Sequence, residues 1–125
     1  MSKVKNKHKI LIAEDEKPLA RALSLKLGGE NFDIDIAHDG DEVSKRIANG
    51  GYDLILMDLM MPNHDGFKTI ARMKKNKDAT PVIVMSNLSQ DTDIDKAKQA
   101  GAVHYFIKGD TKLSDIVEYI REKIN

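Results

Sequence analysis

The sequence predicts an α/β fold in which a five-stranded parallel sheet carries helices on both faces. Short apolar runs typical of buried strands recur five times, amphipathic helical patterns separate them, and Gly, Pro and Asn mark the junctions. Strands that alternate with helices pair in parallel through right-handed crossovers, which place helices on both faces. The chain has 125 residues, of which 41% are apolar and 32% charged, so it fits one globular domain.

The first two strand–helix units are recognised by their periodicity and by the residues that end them. A strand over 9–13 precedes Pro18, which suits a helix start because its missing N–H costs nothing there. This helix carries leucines at helical spacing, at Leu19, Leu23 and Leu27. The second strand, over 32–36, alternates apolar residues with aspartates, as expected near the margin of a sheet. A short helix follows and ends at Asn49-Gly50-Gly51.

The remaining units repeat the pattern. The run Leu54 to Met57 is apolar throughout and predicts a central strand. The third helix is expected to direct four side chains inward, namely Phe67, Ile70, Ala71 and Met73. Strands over 82–85 and 103–107 follow, with a helix that ends at Gly101 between them and an amphipathic last helix. The whole is a flavodoxin-like (βα)5 arrangement with the strand order 2-1-3-4-5. We divide the chain into a solvated lead-in, residues 1–8, and one domain, residues 9–125.

Composition narrows the functional classes. Lys plus Arg and Asp plus Glu are balanced at 20 each, so no overall field attracts nucleic acid or an anionic membrane. The absence of cysteine excludes disulfides, thiolate metal sites and cysteine nucleophiles, and it is compatible with a reducing cytoplasm. No apolar stretch after the lysine-rich start is long enough for a signal peptide or a membrane span. We expect a cytoplasmic protein without a membrane partner.

Charged side chains directly follow three of the predicted strands. They are Glu14-Asp15 after the first, Asp58 after the third and Lys108 after the fifth. Because the carboxyl ends of parallel strands lie along one edge, we expect these side chains to converge. Clustered carboxylates repel one another unless a hard cation neutralises them, and an all-oxygen site suits Mg²⁺. The opposed ammonium suits a phosphoryl group, to which the hydroxyl of Ser86, after the fourth strand, can donate a hydrogen bond.

The order of these residues resembles the receiver domains of two-component response regulators over nearly the whole chain. The resemblance rests on Glu14-Asp15, the segment Asp58 to Gly66, Ser86, and the segment Gly101 to Lys108. It implies that Asp58 is phosphorylated by a histidine kinase or a histidine phosphotransfer protein. It also implies that Mg²⁺ is held by an acidic set completed by one backbone carbonyl: Glu14, Asp15, Asp58 and the carbonyl of Met60.

Further roles are implied by the same resemblance. Lys108 would bind a phosphoryl oxygen, and Ser86 with Tyr105 would form the switch. A downstream partner would read the face built from the fourth helix, the fifth strand and the last helix, which includes His104, Tyr105, Lys112 and Tyr119. The protein would not be an enzyme in the usual sense, since its chemistry is confined to its own phosphorylation and slow dephosphorylation. Because no output region follows the last helix, we expect a single-domain regulator of the chemotaxis type with no direct nucleic-acid partner.

Three departures from the common receiver pattern bear on function. Gly109 stands where receivers usually have proline, which implies that Lys108 is held less rigidly. Asn87 replaces a small residue beside Ser86, and we expect it either to narrow the phosphate entrance or to add a hydrogen bond. The positions that flank the route of attacking water, Met60 and Leu88, are both apolar, so intrinsic dephosphorylation is expected to be slow.

Other roles would fit parts of the sequence besides that of a phosphorylated receiver domain. Asp15 or Glu16 before Pro18 could serve only as a helix cap. A flavodoxin-like cofactor protein needs phosphate donors in its first loop, where acidic residues would repel the ligand. A magnesium-dependent phosphatase needs a second acid two residues after the nucleophile, where Met60 stands. A receiver-like module that binds partners without phosphorylation is the remaining alternative.

Overall fold

The described residues form a five-stranded sheet, a two-stranded hairpin and five α-helices. The computed structural model describes residues 8–28 and 32–124. Its sheet strands are β1 (His8–Ala13), β2 (Phe32–Ala37), β3 (Leu54–Met57), β4 (Val82–Ser86) and β5 (His104–Ile107). Its helices are α1 (Lys17–Gly28), α2 (Gly40–Asn49), α3 (Gly66–Lys75), α4 (Asp91–Ala100) and α5 (Leu113–Ile124), and a 3₁₀ turn covers Lys108–Asp110. The strands are parallel in the order β2-β1-β3-β4-β5, which confirms the predicted fold class and strand order.

The sheet separates two hydrophobic cores. In β1, Ile10 and Ile12 belong to the core shared with α1 and α5, whereas Leu11 and Ala13 belong to the core shared with α2, α3 and α4. This division follows from the alternation of side chains along a strand. β1 and β3 lie inside the sheet with helices on both faces, which is why their sequences are apolar runs without alternation.

Aspartate side chains cap the first turns of α2 and α3. The side chain of Asp39 accepts a hydrogen bond from the N–H of Glu42, and that of Asp65 accepts from the N–H groups of Phe67 and Lys68. Each carboxylate satisfies donors that have no partner within their own helix. At the other end of α2, Gly50 has a φ of 69°, which explains the glycine at that position.

The inward face of α3 differs from the prediction at one position. Ala71 is exposed, so its predicted inward orientation is wrong, whereas Thr69 is 7% exposed and lies inside. The buried stripe runs through Phe67, Ile70 and Met73, and Ala71 lies about 100° from Ile70 around the helix, on the side away from Thr69. Thr69 tolerates burial because its hydroxyl donates to the Asp65 carbonyl at 3.3 Å.

The starts of two strands differ from the prediction, those of β1 and β5. β1 starts at His8, one residue before the predicted start, and the rest of the predicted lead-in lies outside the described residues, as does residue 125. Val103 precedes β5 instead of opening it, and its side chain is exposed. None of the helices in the described ranges combines the length and the apolar character needed to cross a bilayer.

The loop after β3 is more ordered than the sequence predicts. Met60–Met61 pairs with His64–Asp65 in a two-stranded antiparallel hairpin. The hairpin packs closely on two glycines, since a Cβ on Gly40 would collide with the Asn63 carbonyl and one on Gly66 would collide with Leu59. These contacts fix the hairpin at both ends.

Candidate functional site

Four neighbouring strands deliver the polar side chains of the site. These are Glu14 and Asp15 after β1, Asp58 after β3, Ser86 at the end of β4, and Lys108 after β5. The amide of Asp58 donates to the Ala13 carbonyl at 2.9 Å, so the sheet hydrogen bonding extends to the site residue itself. The predicted convergence of these side chains at one sheet edge is therefore what the structure shows.

The ammonium group of Lys108 lies among three carboxylates. Its Nζ is 2.8 Å from Glu14 Oε1, 2.9 Å from Asp58 Oδ2 and 3.0 Å from Glu16 Oε2. Burial lowers the pKa of Lys108, but its hydrogen bonds to the three carboxylates outweigh burial and leave the pKa raised. Lys108 therefore stays protonated at neutral pH and holds a positive charge beside Asp58.

Burial raises the pKa of the carboxyl groups of Asp58 and Glu14, whereas it lowers the pKa of Lys108. It raises the pKa of Asp58, and this effect exceeds that of the hydrogen bonds from Lys108 and the Met60 amide; the charge of Asp15 raises the pKa further. Burial likewise raises the pKa of Glu14, whose side chain is fully buried, and the nearby Asp58 adds to the shift. Together with Asp15 and Glu16, these residues give the site four carboxyl groups against the one ammonium group of Lys108, which cannot balance all of them.

The acidic cluster suits a small, hard cation. Glu14, Asp15 and Asp58 each offer an oxygen that lies within 4.8 Å of the other two. The donors are carboxylates, without nitrogen or sulfur, and such a set favours Mg²⁺. Asp15 is exposed, so the cluster can be reached from solvent. The Met60 amide donates to Asp58 Oδ1 at 3.2 Å, while the predicted ligand role of the Met60 carbonyl stays a prediction.

The predicted switch residues meet at a third residue, Leu88. The amide of Leu88 donates to Ser86 Oγ at 3.1 Å, and the hydroxyl of Tyr105 donates to the Leu88 carbonyl at 2.6 Å. Ser86 is buried and Tyr105 is half-buried. Two bonds therefore join Ser86 to Tyr105 through one backbone segment.

These groups surround an open pocket of about 250 Å³. Acidic, apolar and hydroxyl side chains all contribute to its walls, which are formed by Asp15, Glu16, Asp58, Met60, Ser86, Asn87, Leu88 and Lys108. A larger cavity of about 340 Å³ lies at the opposite edge of the sheet, near Pro81 and Val103, but it lacks a carboxylate cluster. The carboxylate cluster and the ammonium group of Lys108, and not the volume of the cavity, identify the site.

One residue of the site was missed by the sequence analysis. Glu16 was considered only as a possible helix cap, yet its carboxylate pairs with Lys108 at 3.0 Å from a position that is 58% exposed. The available signal was its place in the loop directly after β1, where Glu14 and Asp15 also lie at the carboxyl edge of the sheet. The amide of Glu16 also donates to Glu14 Oε2 at 2.9 Å, which ties the two residues together.

Comparison with known proteins gives a consistent result. The family described as the response regulator receiver domain matches residues 10–121. The chain is 40% identical to the response regulator ArlR of Staphylococcus saprophyticus over 100 residues, covering 80% of this chain and 45% of that protein. It is 38% identical to the transcriptional regulatory protein ResD of Bacillus subtilis over 103 residues, covering 82% of this chain and 42% of that protein.

Solved structures agree in fold. A receiver domain of a Francisella response regulator superimposes with a TM-score of 0.86 at 28% identity, covering 92% of this chain and 94% of that one. The response regulator TrrA from Thermotoga maritima, solved in complex with Mg²⁺-BeF, has a TM-score of 0.78 at 27% identity and coverage of 92% and 97%.

The chain spans less than half the length of the two curated relatives described above. One of them is a transcriptional regulatory protein, so the comparisons do not support our expectation that nucleic acid is absent from the partners. The extent of the family match, together with the carboxylate cluster and Lys108 at one sheet edge, shows that the chain belongs to the response regulator receiver domain family of two-component signalling.

Proposed function

We propose that this chain accepts a phosphoryl group on Asp58 in a Mg²⁺-dependent reaction, with a histidine kinase or a histidine phosphotransfer protein as the donor. One observation carries the proposal. Asp58 Oδ2 lies 2.9 Å from the protonated Lys108, in a solvent-open pocket that also presents Asp15. The site thus combines a nucleophilic carboxylate with positive charge at the place where phosphoryl oxygens would lie.

The transfer requires charge control more than covalent chemistry. An oxygen of Asp58 forms a bond to phosphorus while the bond from phosphorus to the donor histidine nitrogen breaks, and the imidazole leaves with its electron pair. Lys108 offsets the negative charge of the incoming group. When bound by Glu14, Asp15, Asp58 and the Met60 carbonyl, Mg²⁺ would supply further positive charge to the phosphoryl oxygens. The Mg²⁺-BeF complex of the Thermotoga maritima relative supports this choice of ion.

The signal would leave the pocket through Ser86. If its hydroxyl rotates to donate to a phosphoryl oxygen, the hydrogen bond from the Leu88 amide is weakened. The same backbone segment accepts the bond from Tyr105, so Tyr105 is released or reoriented in turn. We propose that a partner reads this change on the face formed by α4, β5 and α5, where His104 stacks on Tyr119 at a ring distance of 4.3 Å.

Intact mass spectrometry tests the central step. Wild type, Asp58→Asn and the matched control Asp33→Asn are incubated with acetyl phosphate, with and without Mg²⁺; Asp33 is an exposed aspartate of β2. Wild type and the control should gain one phosphoryl group only with Mg²⁺, and Asp58→Asn should gain none. Equal labelling of all three proteins would overturn the assignment. Lack of labelling in wild type, with retained partner binding, would favour a phosphorylation-independent module.

A further inference from the structure

We propose that Met60 is a site of reversible oxidation by peroxide, and that its sulfoxide shortens the lifetime of the acyl phosphate on Asp58. The oxidation itself does not depend on the proposed function, whereas the effect on lifetime rests on it. Met60 is 56% exposed, and every other methionine of the described ranges is at most 7% exposed: Met57, Met61, Met73 and Met85. Exposure governs how fast a thioether is oxidised, so among the methionines that the structure describes peroxide should reach Met60 before the other four.

The position of Met60 links this reactivity to the pocket. Met60 lines the same pocket as Asp58 and Leu88, and its amide donates to Asp58 Oδ1 at 3.2 Å. The hairpin pairing of Met60 with Asp65 holds the backbone at this place. Oxidation would therefore change the chemistry of the pocket mouth and not of a remote surface.

Met60 belongs to neither hydrophobic core. A sulfoxide at a core methionine places a dipole among apolar side chains and disrupts packing, but Met60 has no such packing to lose. The fold should therefore survive oxidation of Met60, which separates an effect on the pocket from general damage.

The oxidation is a two-electron step. The sulfur of Met60 attacks one oxygen of hydrogen peroxide, an S–O bond forms, the O–O bond breaks, and the second oxygen leaves as water after taking up the proton of the first. Sulfur is oxidised and peroxide is reduced. A methionine sulfoxide reductase reverses the step by using thiols as the reductant.

The product replaces an apolar thioether with a strong hydrogen-bond acceptor. The apolar side chains of Met60 and Leu88 offer a water molecule beside the acyl phosphate no hydrogen-bond partner, whereas a sulfoxide oxygen can hold a water molecule there. A positioned water without a general base gives a modest acceleration, so we expect roughly a threefold to tenfold faster loss of phosphoryl group, well below the effect of general base catalysis.

Peptide mapping after limited treatment with hydrogen peroxide tests the first part. Met61 is the matched internal control, because it adjoins Met60 in sequence but is buried. Met60 should be oxidised at least about tenfold faster than Met61, Met73 and Met85, since these side chains react only when the structure opens. Similar rates at Met60 and Met61 would overturn the proposal.

Decay of the acyl phosphate tests the second part. Wild type and Met60→Leu are each treated with peroxide or left untreated, loaded with acetyl phosphate, and followed after removal of the donor in excess Mg²⁺. Oxidised wild type should decay faster, sulfoxide reductase should restore the slow decay, and Met60→Leu should not respond. Unchanged decay of oxidised, phosphorylated wild type would refute the lifetime effect alone. Failure of untreated protein to take up any phosphoryl group would overturn the proposed function and this effect together, while the oxidation map stands by itself.

Discussion

Replacing Asp58 with asparagine should raise the free energy of unfolding in magnesium-free buffer at pH 7, although it removes an ion pair. The reason is the surplus of buried negative charge. Asp58 lies 2.9 Å from Lys108, but it also lies within 4.8 Å of oxygens on both Glu14 and Asp15. Its side chain is only 8% exposed, so water screens these interactions poorly.

The magnitude follows from the distances. With an effective dielectric constant of about 20, the attraction to Lys108 is roughly 6 kcal/mol and the repulsion from each carboxylate is roughly 3.5 kcal/mol. The two repulsions offset the attraction, which leaves the cost of burying the charge, several kcal/mol before relaxation. Asparagine avoids most of that cost, and we expect a net gain of about 2 kcal/mol. For a domain of this size the melting temperature should rise by roughly 6–10 °C.

The effect has a defined pH dependence. Burial raises the pKa of Asp58 above its unfolded value of 3.8, so the native state binds this proton more tightly than the unfolded state does. The penalty in wild type is therefore present above the folded pKa and fades as the pH falls through that pKa toward 3.8. The stability difference between variant and wild type should shrink over the same interval. Mg²⁺ at ten times its dissociation constant should stabilise wild type by about 1.4 kcal/mol and the variant by less.

Urea denaturation followed by circular dichroism measures these quantities, with Asp33→Asn as the control for loss of an exposed aspartate. The control should match wild type at every pH and Mg²⁺ concentration. A variant less stable than wild type at pH 7 without Mg²⁺ would refute the charge argument. So would a difference that grows as the pH falls.

Three further predictions concern signalling. Lys108→Ala should not weaken Mg²⁺ binding, because Glu14 and Asp58 lose a competing cation. It should weaken the chemical-shift response of Tyr105 to beryllofluoride, because no ammonium then couples the ligand to the switch, and an undiminished response would contradict this role. Activation should change the hydrogen-exchange rates at His104 and its neighbours on the face formed by α4, β5 and α5. If the changes are confined to the pocket, this face is not the surface that a partner reads. Replacing Met60 with Asn and Leu88 with Glu should shorten the acyl phosphate lifetime by roughly tenfold, which corresponds to about 1.4 kcal/mol in the barrier. The decay is measured after the phosphodonor is removed. If the double variant decays at the wild-type rate or more slowly, these side chains do not control the access of water.

Much of the fold could be predicted because apolar patterning and topology act together. A fully apolar run such as Leu54 to Met57 fits few places other than the interior of a parallel sheet. Once the strands are assigned, the geometry of the sheet brings Asp58 and Lys108 to the same edge, although fifty residues separate them in the chain. Long-range contacts of the site therefore followed from local patterns.

The errors occurred where the side chain itself carries little information. Alanine is compatible with either face of a helix, so Ala71 could not be placed from its residue type, and a buried Thr69 depends on a backbone acceptor that the sequence does not display. Glu16 has the same difficulty, because an exposed acid at the end of a strand is common and only the distance to Lys108 distinguishes this one. At such positions the burial or role of a side chain depends on which group it contacts in the fold, and not on its residue type.

The hairpin after β3 has a consequence for how this domain can evolve. Its two anchors, Gly40 and Gly66, accept no side chain, because a Cβ at either position would collide with a neighbouring residue. Met60 lies between these anchors, exposed and outside both cores, yet at the mouth of the pocket. A substitution at position 60 therefore leaves the core packing in place and alters the surroundings that an acyl phosphate on Asp58 would have under the proposed function. Under that function, single replacements at position 60 would change the lifetime of the phosphorylated state without requiring compensating changes in the two cores.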